Sequence, residues 1–303
     1  MYNNIFIFLK RKIKYILFSI NTRLGTIIVY RIVMGYFPNL KVPLTFNEKI
    51  QWLKLNEYSK NIYKICADKY LVRDFIKQNG CEGILNELIG VYESPLEINF
   101  KKLPNQFVLK LSCGSGYNII CRNKKELNEK EIINKIIKWL KMDLEKVSGE
   151  PQTKVEKKYI VVEKYLGNAK KKLPSDYKFF CFNGKVKYIM FCDERETGKP
   201  NFYFFDLKWK LLDFSLEAEK ILENKIEKPK NLSTMIKYAE KLSQKFYFVR
   251  VDLYNIDENI IFGELTFTPS GGLDKDLKYY SKSKQETVDE ILGKELNLPL
   301  LKG

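Results

Sequence analysis

Apolar residues recur at helical spacing through the first part of the chain and alternate in strand fashion through most of the rest. Residues 1–60 read mostly as helix. Thr45-Phe-Asn-Glu48 is a capping box, with Thr45 as N-cap and Glu48 three positions on, and it opens a helix through Ile50, Trp52, Leu53 and Leu55. A second helix is expected over 67–79, with Tyr70, Leu71, Phe75 and Ile76 on one face and Gly80 as its stop. ILNELIGVY is a strand approach or a short helix, followed by a loop holding Pro95 and Pro104. FVLKLSCGSGYNII, from Phe107 to Ile120, reads as strand, glycine-rich loop, strand. Ile132, Ile133, Ile136, Ile137, Trp139 and Leu140 give residues 129–147 a broad apolar helical face, and the polar, lysine-rich stretch 148–158 reads as an exposed loop.

The second half alternates. YIVVEKYL, 159–166, is a strand. DYKFFCFNGKVKYIMFCD gives two strands about Asn183-Gly184, a strong hairpin signal. NFYFFDLKWKLLDF suggests two short strands, and 231–245 a helix with Met235, Ile236, Ala239 and Leu242 inward. FYFVRVDLYN and IIFGELTFTP are strands joined by the turn Asp257-Glu258-Asn259. Tandem repeats are not apparent, and the lysine cluster 170–172 reads as a solvated loop. The pattern is α+β, with mostly antiparallel strands and flanking helices.

Composition narrows the chemistry. The 303 residues suffice for one large or two ordinary domains. Fifty-three Lys and Arg stand against 37 Asp and Glu, a net charge of +16. That balance favours anionic partners, or reflects lysine-rich coding drift. The chain has no histidine, which excludes Ser-His-Asp and Cys-His catalysis and His-ligated zinc. The six cysteines form no C-x-x-C pair and read as buried thiols. The apolar run 5–20 is broken by Lys10, Arg11, Lys12 and Lys14, too short for a membrane span and without the order of a signal peptide. It is either a basic amphipathic helix on the inner membrane face or a helix packed on the domain.

Two stretches carry candidate chemistry. A P-loop places its lysine after the glycines; here Lys110 comes before Gly114 and Gly116. In the last hairpin, Arg250 and Asp252 share one strand face and Glu264 and Thr266 share another. Asp252 and Glu264 near one another suit Mg²⁺, or are two solvent-facing acids on an exposed sheet.

Together these segments resemble the ATP-grasp superfamily, in which ATP lies between two α+β subdomains. The resemblance implies the following roles. ADKYLVRDF is similar to a segment of D-alanine–D-alanine ligases, which puts Lys69 on ATP phosphate. Lys110 becomes the second nucleotide lysine, and Ser112, Cys113, Gly114, Ser115 and Gly116 the phosphate-covering loop. VVEKYL makes Glu163 the adenine amino-group acceptor, with Lys164, Tyr165 and Leu166 supplying backbone and apolar contacts. Asp176 takes the ribose hydroxyls, Arg250 the charge of phosphate or intermediate, and Asp252 and Glu264 the Mg²⁺. More narrowly, LTFNEKIQWLKL, GSGYNII, DYKFFCFNGK and VRVDLY…FGELTF resemble the TupA-like ATP-grasp family of polysaccharide and capsule gene clusters. Two positions depart: Cys113 stands where that family usually has His, and Thr266 where many ATP-grasp ligases have a metal-binding Asn.

The resemblance implies a helical segment 1–60, a part with the small subdomain and glycine-rich loop 61–166, and a C-terminal subdomain with the metal site 167–303. It implies an ATP- and Mg²⁺-dependent carboxylate–amine ligase of the cytoplasm, working through an acylphosphate on an anionic sugar polymer, a uronic acid or an amino acid. Its rivals are a glycosyltransferase of the same clusters, a basic binding module without catalysis, and an enzyme that stops at phosphorylation. Nucleic acid is not an expected partner, because the aromatics alternate inside strands.

Overall fold

The computed structural model describes residues 12–167, 173–221 and 226–299. Residues 1–11 of the predicted N-terminal helical segment and the lysine cluster 170–172 lie outside them. Helix α1 (residues 12–20) leads into α2 (Thr22–Met34), which stops where Gly35 adopts φ 90°. The predicted capping box opens α3 (Phe46–Asn56): the Thr45 hydroxyl accepts from Glu48 N, and Glu48 accepts from Thr45 N in return.

The single helix expected over 67–79 is divided. The Asp68 carboxylate accepts the backbone N–H groups of Tyr70 and Leu71 at 2.9 and 3.0 Å, an alternative to helical bonding that turns the chain between α4 (Asn61–Ala67) and α5 (Val72–Gln78). The helix expected over 129–147 also divides, because Asp143 N-caps a new helix, giving α6 (Glu129–Leu140) and α7 (Leu144–Ser148). The stretch 148–158 is not simply exposed. Pro151, Gln152 and Thr153 are buried, and Gln152 Nε2 donates to Thr268 Oγ1 at 2.9 Å.

Two antiparallel sheets follow. The first takes β1 (Leu88–Tyr92), β2 (Phe107–Leu111), β3 (Asn118–Cys121) and β4 (Ile160–Lys164) in the order β1-β4-β2-β3. Phe107, Leu109 and Val162 bury one of its faces on Ile132 and Ile136 of α6. The second is six-stranded: β5 (Asp176–Phe182), β6 (Lys185–Asp193), β7 (Asn201–Phe205), β8 (Leu211–Leu212), β9 (Phe248–Ile256) and β10 (Asn259–Thr266), ordered β10-β9-β5-β6-β7-β8. Asn183 and Gly184, both at positive φ, make the tight β5–β6 turn.

The larger core joins this sheet to α3, α4, α5, α8 (Leu232–Ser243) and, beyond the small ladder of β11 (Tyr280–Ser281) and β12 (Glu286–Thr287), α9 (Val288–Glu295). Residues 46–84 therefore contribute to the core of the six-stranded sheet. Register sets the working face: Lys178 lies opposite Asp252 on one side and Met190 on the other, and Asp252 lies opposite Glu264. A bulge between Phe262 and Glu264 interrupts the β9–β10 ladder beside that pair.

Candidate active site

Lys110 projects from β2 and Glu163 from the neighbouring β4. Their ammonium and carboxylate pair at 2.6 Å, and Arg73 approaches the second Glu163 oxygen at 3.7 Å. Glu163 is thus a buried, cation-paired acid. After Lys110 the chain turns through Gly114 and Gly116, at φ 77° and 82°. A Cβ at Gly114 would also lie 3.0 Å from Leu144 Cδ1 and 3.1 Å from the Tyr117 ring, so this position needs glycine on both counts.

Lys69 is stitched to the loop. Its backbone N–H donates to Ser112 O and its ammonium to Gly114 O, each at 2.7 Å. Beneath lies Asp68, fully buried, accepting the Ser112 hydroxyl at 2.6 Å. Ser112 and Cys113, expected in the phosphate-covering loop, both turn their side chains into the protein. Ser112 is fully buried and committed to Asp68 and to Tyr159 N; Cys113 packs with Leu111 and Leu144, where burial pushes its thiol up to about 11. Gly114, Ser115 and Lys69 line a cavity of about 390 Å³ whose far wall includes Arg250, Glu264 and Thr266. Gly116 stands outside this lining.

That far wall is one end of a charge network across the six-stranded sheet. Arg250 grips Asp252 with two bonds of 2.7 Å, and Lys178 reaches Asp252 at 2.7 Å and Asp176 at 3.1 Å. Arg195 closes on Asp176 at 2.8 Å. Burial alone would raise the Asp252 pKa, but Arg250 and Lys178 outweigh it and hold the carboxyl below its ordinary value. For Asp176 burial wins over Lys178 and Arg195, and its pKa is raised. Glu264 is half-exposed and accepts the Thr266 hydroxyl at 3.1 Å; Arg250 stands 4.0 Å away.

These residues fit Mg²⁺ in one respect. Asp252 and Glu264 are register partners with only oxygen donors, and Thr266 adds a hydroxyl. Asp252 is already saturated by two cations, so Glu264 is the carboxylate that faces the cavity. Among the described residues no three acidic or thiol side chains converge on a metal position, so a cation here needs substrate phosphates to complete its shell.

A larger cavity, about 690 Å³, adjoins the first through Arg250, Pro269 and Ser270. Asp176, Lys178 and Arg195 stand at its charged side, and Phe180, Phe204 and Phe214 form apolar wall. Asp176 therefore lines this second cavity. Lys164 is exposed and pairs with Glu87 at 3.2 Å, while Tyr165 is buried with its hydroxyl accepting from Arg122 at 3.3 Å. Lys164, Tyr165 and Leu166 line a third cavity of about 380 Å³ with Asn86, Ile256 and Asp257.

Sequence reasoning missed Asp68, Lys178 and Arg195. Lys178 was within reach, since period-two alternation puts it on the Asp176 face. Asp68 precedes Lys69 directly, and its place under the loop follows only from the fold. Nothing in the local sequence marks Arg195.

No curated protein matches the chain. Among solved structures, D-alanine–D-alanine ligase from Bacillus anthracis is 18% identical, covering 77% of this chain and 67% of its own, with TM-score 0.46. N5-carboxyaminoimidazole synthetase from Staphylococcus aureus, complexed with ADP, is 14% identical over 82% of this chain and 59% of its own, with TM-score 0.45. The chain thus spans about two thirds or less of these proteins. TupA-like ATPgrasp, as a family, matches residues 48–297. The glycine-rich loop, Lys69, Lys110 and the Arg250–Asp252–Glu264 edge all fall inside that match, and the chain belongs to the TupA-like ATP-grasp family, with its α+β fold.

Proposed function

We propose that this chain is an ATP-dependent ligase that joins a carboxylate to an amine through an acylphosphate. The observation that carries the reading is the position of Arg250. It stands on the wall shared by the cavity under the glycine-rich loop and the cavity over Asp176 and Lys178. A phosphoryl group held in the first cavity and a carboxylate held in the second would meet at this guanidinium.

In this reading Lys69 and the loop amides around Gly114 cradle phosphate, and Lys110 adds positive charge from β2. Glu163 positions the Lys110 ammonium, and the backbone of Lys164 to Leu166 supplies the adenine edge. Glu264, with Asp252 beside it, would hold Mg²⁺, which would supply charge neutralisation. The substrate carboxylate attacks the γ-phosphorus, the β–γ bridge breaks and ADP leaves. The amine then attacks the acyl carbon, phosphate leaves and the amine proton passes to solvent. Arg250 and Lys178 oppose the negative charge that builds during both steps, and closure of loop 112–118 keeps water from the acylphosphate. None of this needs histidine.

We place the work in the cytoplasm, in cell-surface polysaccharide assembly; membership of the TupA-like family and six free, buried thiols support that setting. The carboxylate is then a uronic acid or an amino acid. The test is hydroxylamine trapping. Incubated with ATP, Mg²⁺ and a panel of uronic and amino acids, the protein should yield a hydroxamate with at least one acid, and Arg250→Ala should not. Steady ADP formation without hydroxamate from any acid would instead indicate a phosphotransferase that uses a hydroxyl.

A further inference from the structure

The first 44 residues hold seven Lys and Arg and no Asp or Glu. They also carry ten of the fifteen exposed large apolar side chains among the described residues. Those apolar side chains, and Lys12, Arg23, Arg31 and Lys41 with them, point outward. On α1, Ile13, Ile16 and Ile20 are 52%, 49% and 70% exposed at the i, i+3, i+7 spacing of a single helix face. The opposite side of α1 holds the helix to the protein, since Phe18 is buried against Gly25 and Gly149.

On α2, Leu24, Ile28 and Ile32 repeat at i, i+4, i+8, with Leu24 and Ile32 well exposed. Arg31 lies beside them and its guanidinium sits 5.6 Å from the centre of the Phe37 ring, itself 67% exposed. Lys12, Arg23 and Lys41 are exposed on the same segment. No helix among the described residues is long and apolar enough to cross a membrane.

From this pairing of an apolar stripe with a segment that carries basic and no acidic residues, we infer that α1, α2 and the loop to Leu44 dock on the surface of an anionic lipid bilayer. The isoleucines enter the headgroup–acyl boundary and the Lys and Arg side chains meet lipid phosphates. The charge argues for a bilayer over a second copy of this chain, because two copies would bring two segments of like charge together. The same helix lends Lys14 to the lining of the cavity under the glycine-rich loop, so docking would occur beside the active cleft.

The test is co-sedimentation of the full chain with vesicles of phosphatidylcholine alone and with one third phosphatidylglycerol. Binding should require the anionic lipid and weaken with salt. Ile13→Ser/Ile16→Ser/Ile20→Ser and, separately, Arg23→Glu/Arg31→Glu should each weaken it by roughly tenfold or more. Circular dichroism melts of both variants should match wild type, which separates lost docking from lost folding. Equal sedimentation with both vesicle types, no sedimentation with either, or a wild-type dimer in solution that the isoleucine variant dissociates would each overturn the inference.

Discussion

Asp252 shows how one side chain can be buried and still charged. Three bonds of 2.7 Å from Arg250 and Lys178 repay its desolvation, and the network continues through Asp176 to Arg195. Asp252→Ala strips the buried Arg250 of its bidentate carboxylate and leaves Lys178 with Asp176 alone. Unpaired buried charges of this kind cost about 3–5 kcal/mol, so the variant should lose that much stability in urea unfolding. A loss under about 1 kcal/mol would show that solvent reaches these cations. The lowered Asp252 pKa also fixes a sign. The folded state holds this carboxylate ionised at pH values where the unfolded chain is protonated. Its contribution is present above the unfolded pKa, about 3.9, and is lost as pH falls through the folded value. Ser112→Ala removes the hydroxyl that Asp68 accepts beneath the loop. It should cost about 1–3 kcal/mol in the same assay.

At the scale of elements, the glycine-rich loop and helix α3 carry the next predictions. Gly114→Ala places a side chain at φ 77° against Leu144 and Tyr117. It should weaken ATP binding about tenfold while lowering global stability by only 1–2 kcal/mol, because the strain falls on the loop. Lys54 of α3 is buried, and burial pushes its ammonium down to about 8. Between about pH 8 and 10.5 the unfolded chain therefore binds a proton that the folded chain has released, and stability rises with pH across that window. Relative to Lys54→Met, wild type should gain about 2 kcal/mol from pH 7 to pH 10. Parallel pH profiles of the two proteins would refute a buried Lys54 charge.

Elements were legible in the sequence where one local rule decided them. The Thr45–Glu48 box, the Asn183-Gly184 turn and the Arg250–Asp252 face all stand as spacing required. Legibility failed where a polar side chain bonded to backbone within an apolar pattern. Asp68 and Asp143 each broke a helix whose periodicity continued across them, and burial of Pro151 to Thr153 depends on Thr268, more than a hundred residues away.

For the molecule as a whole, the site is a meeting of two sheets distant in sequence. The family resemblance named Lys69 from a segment read as helix, and Lys110, Arg250 and Glu264 from single strands. The two cavities that Arg250 joins, the meeting of Lys178 with Asp252 and the place of Arg195 beside Asp176 depend on strand order β10-β9-β5-β6, which periodicity does not encode. If ATP and Mg²⁺ bridge the two sheets, they should stabilise the fold by mass action, about 2.7 kcal/mol at a hundredfold excess over Kd. The most direct measurement is calorimetric titration of ATP with and without Mg²⁺ on wild type, Lys110→Ala and Glu264→Ala. The account predicts metal-dependent binding by wild type, about 10- to 100-fold weaker for Lys110→Ala, and loss of the metal dependence in Glu264→Ala. Wild-type protein that binds no ATP, or binds it equally in all three forms, would contradict the account.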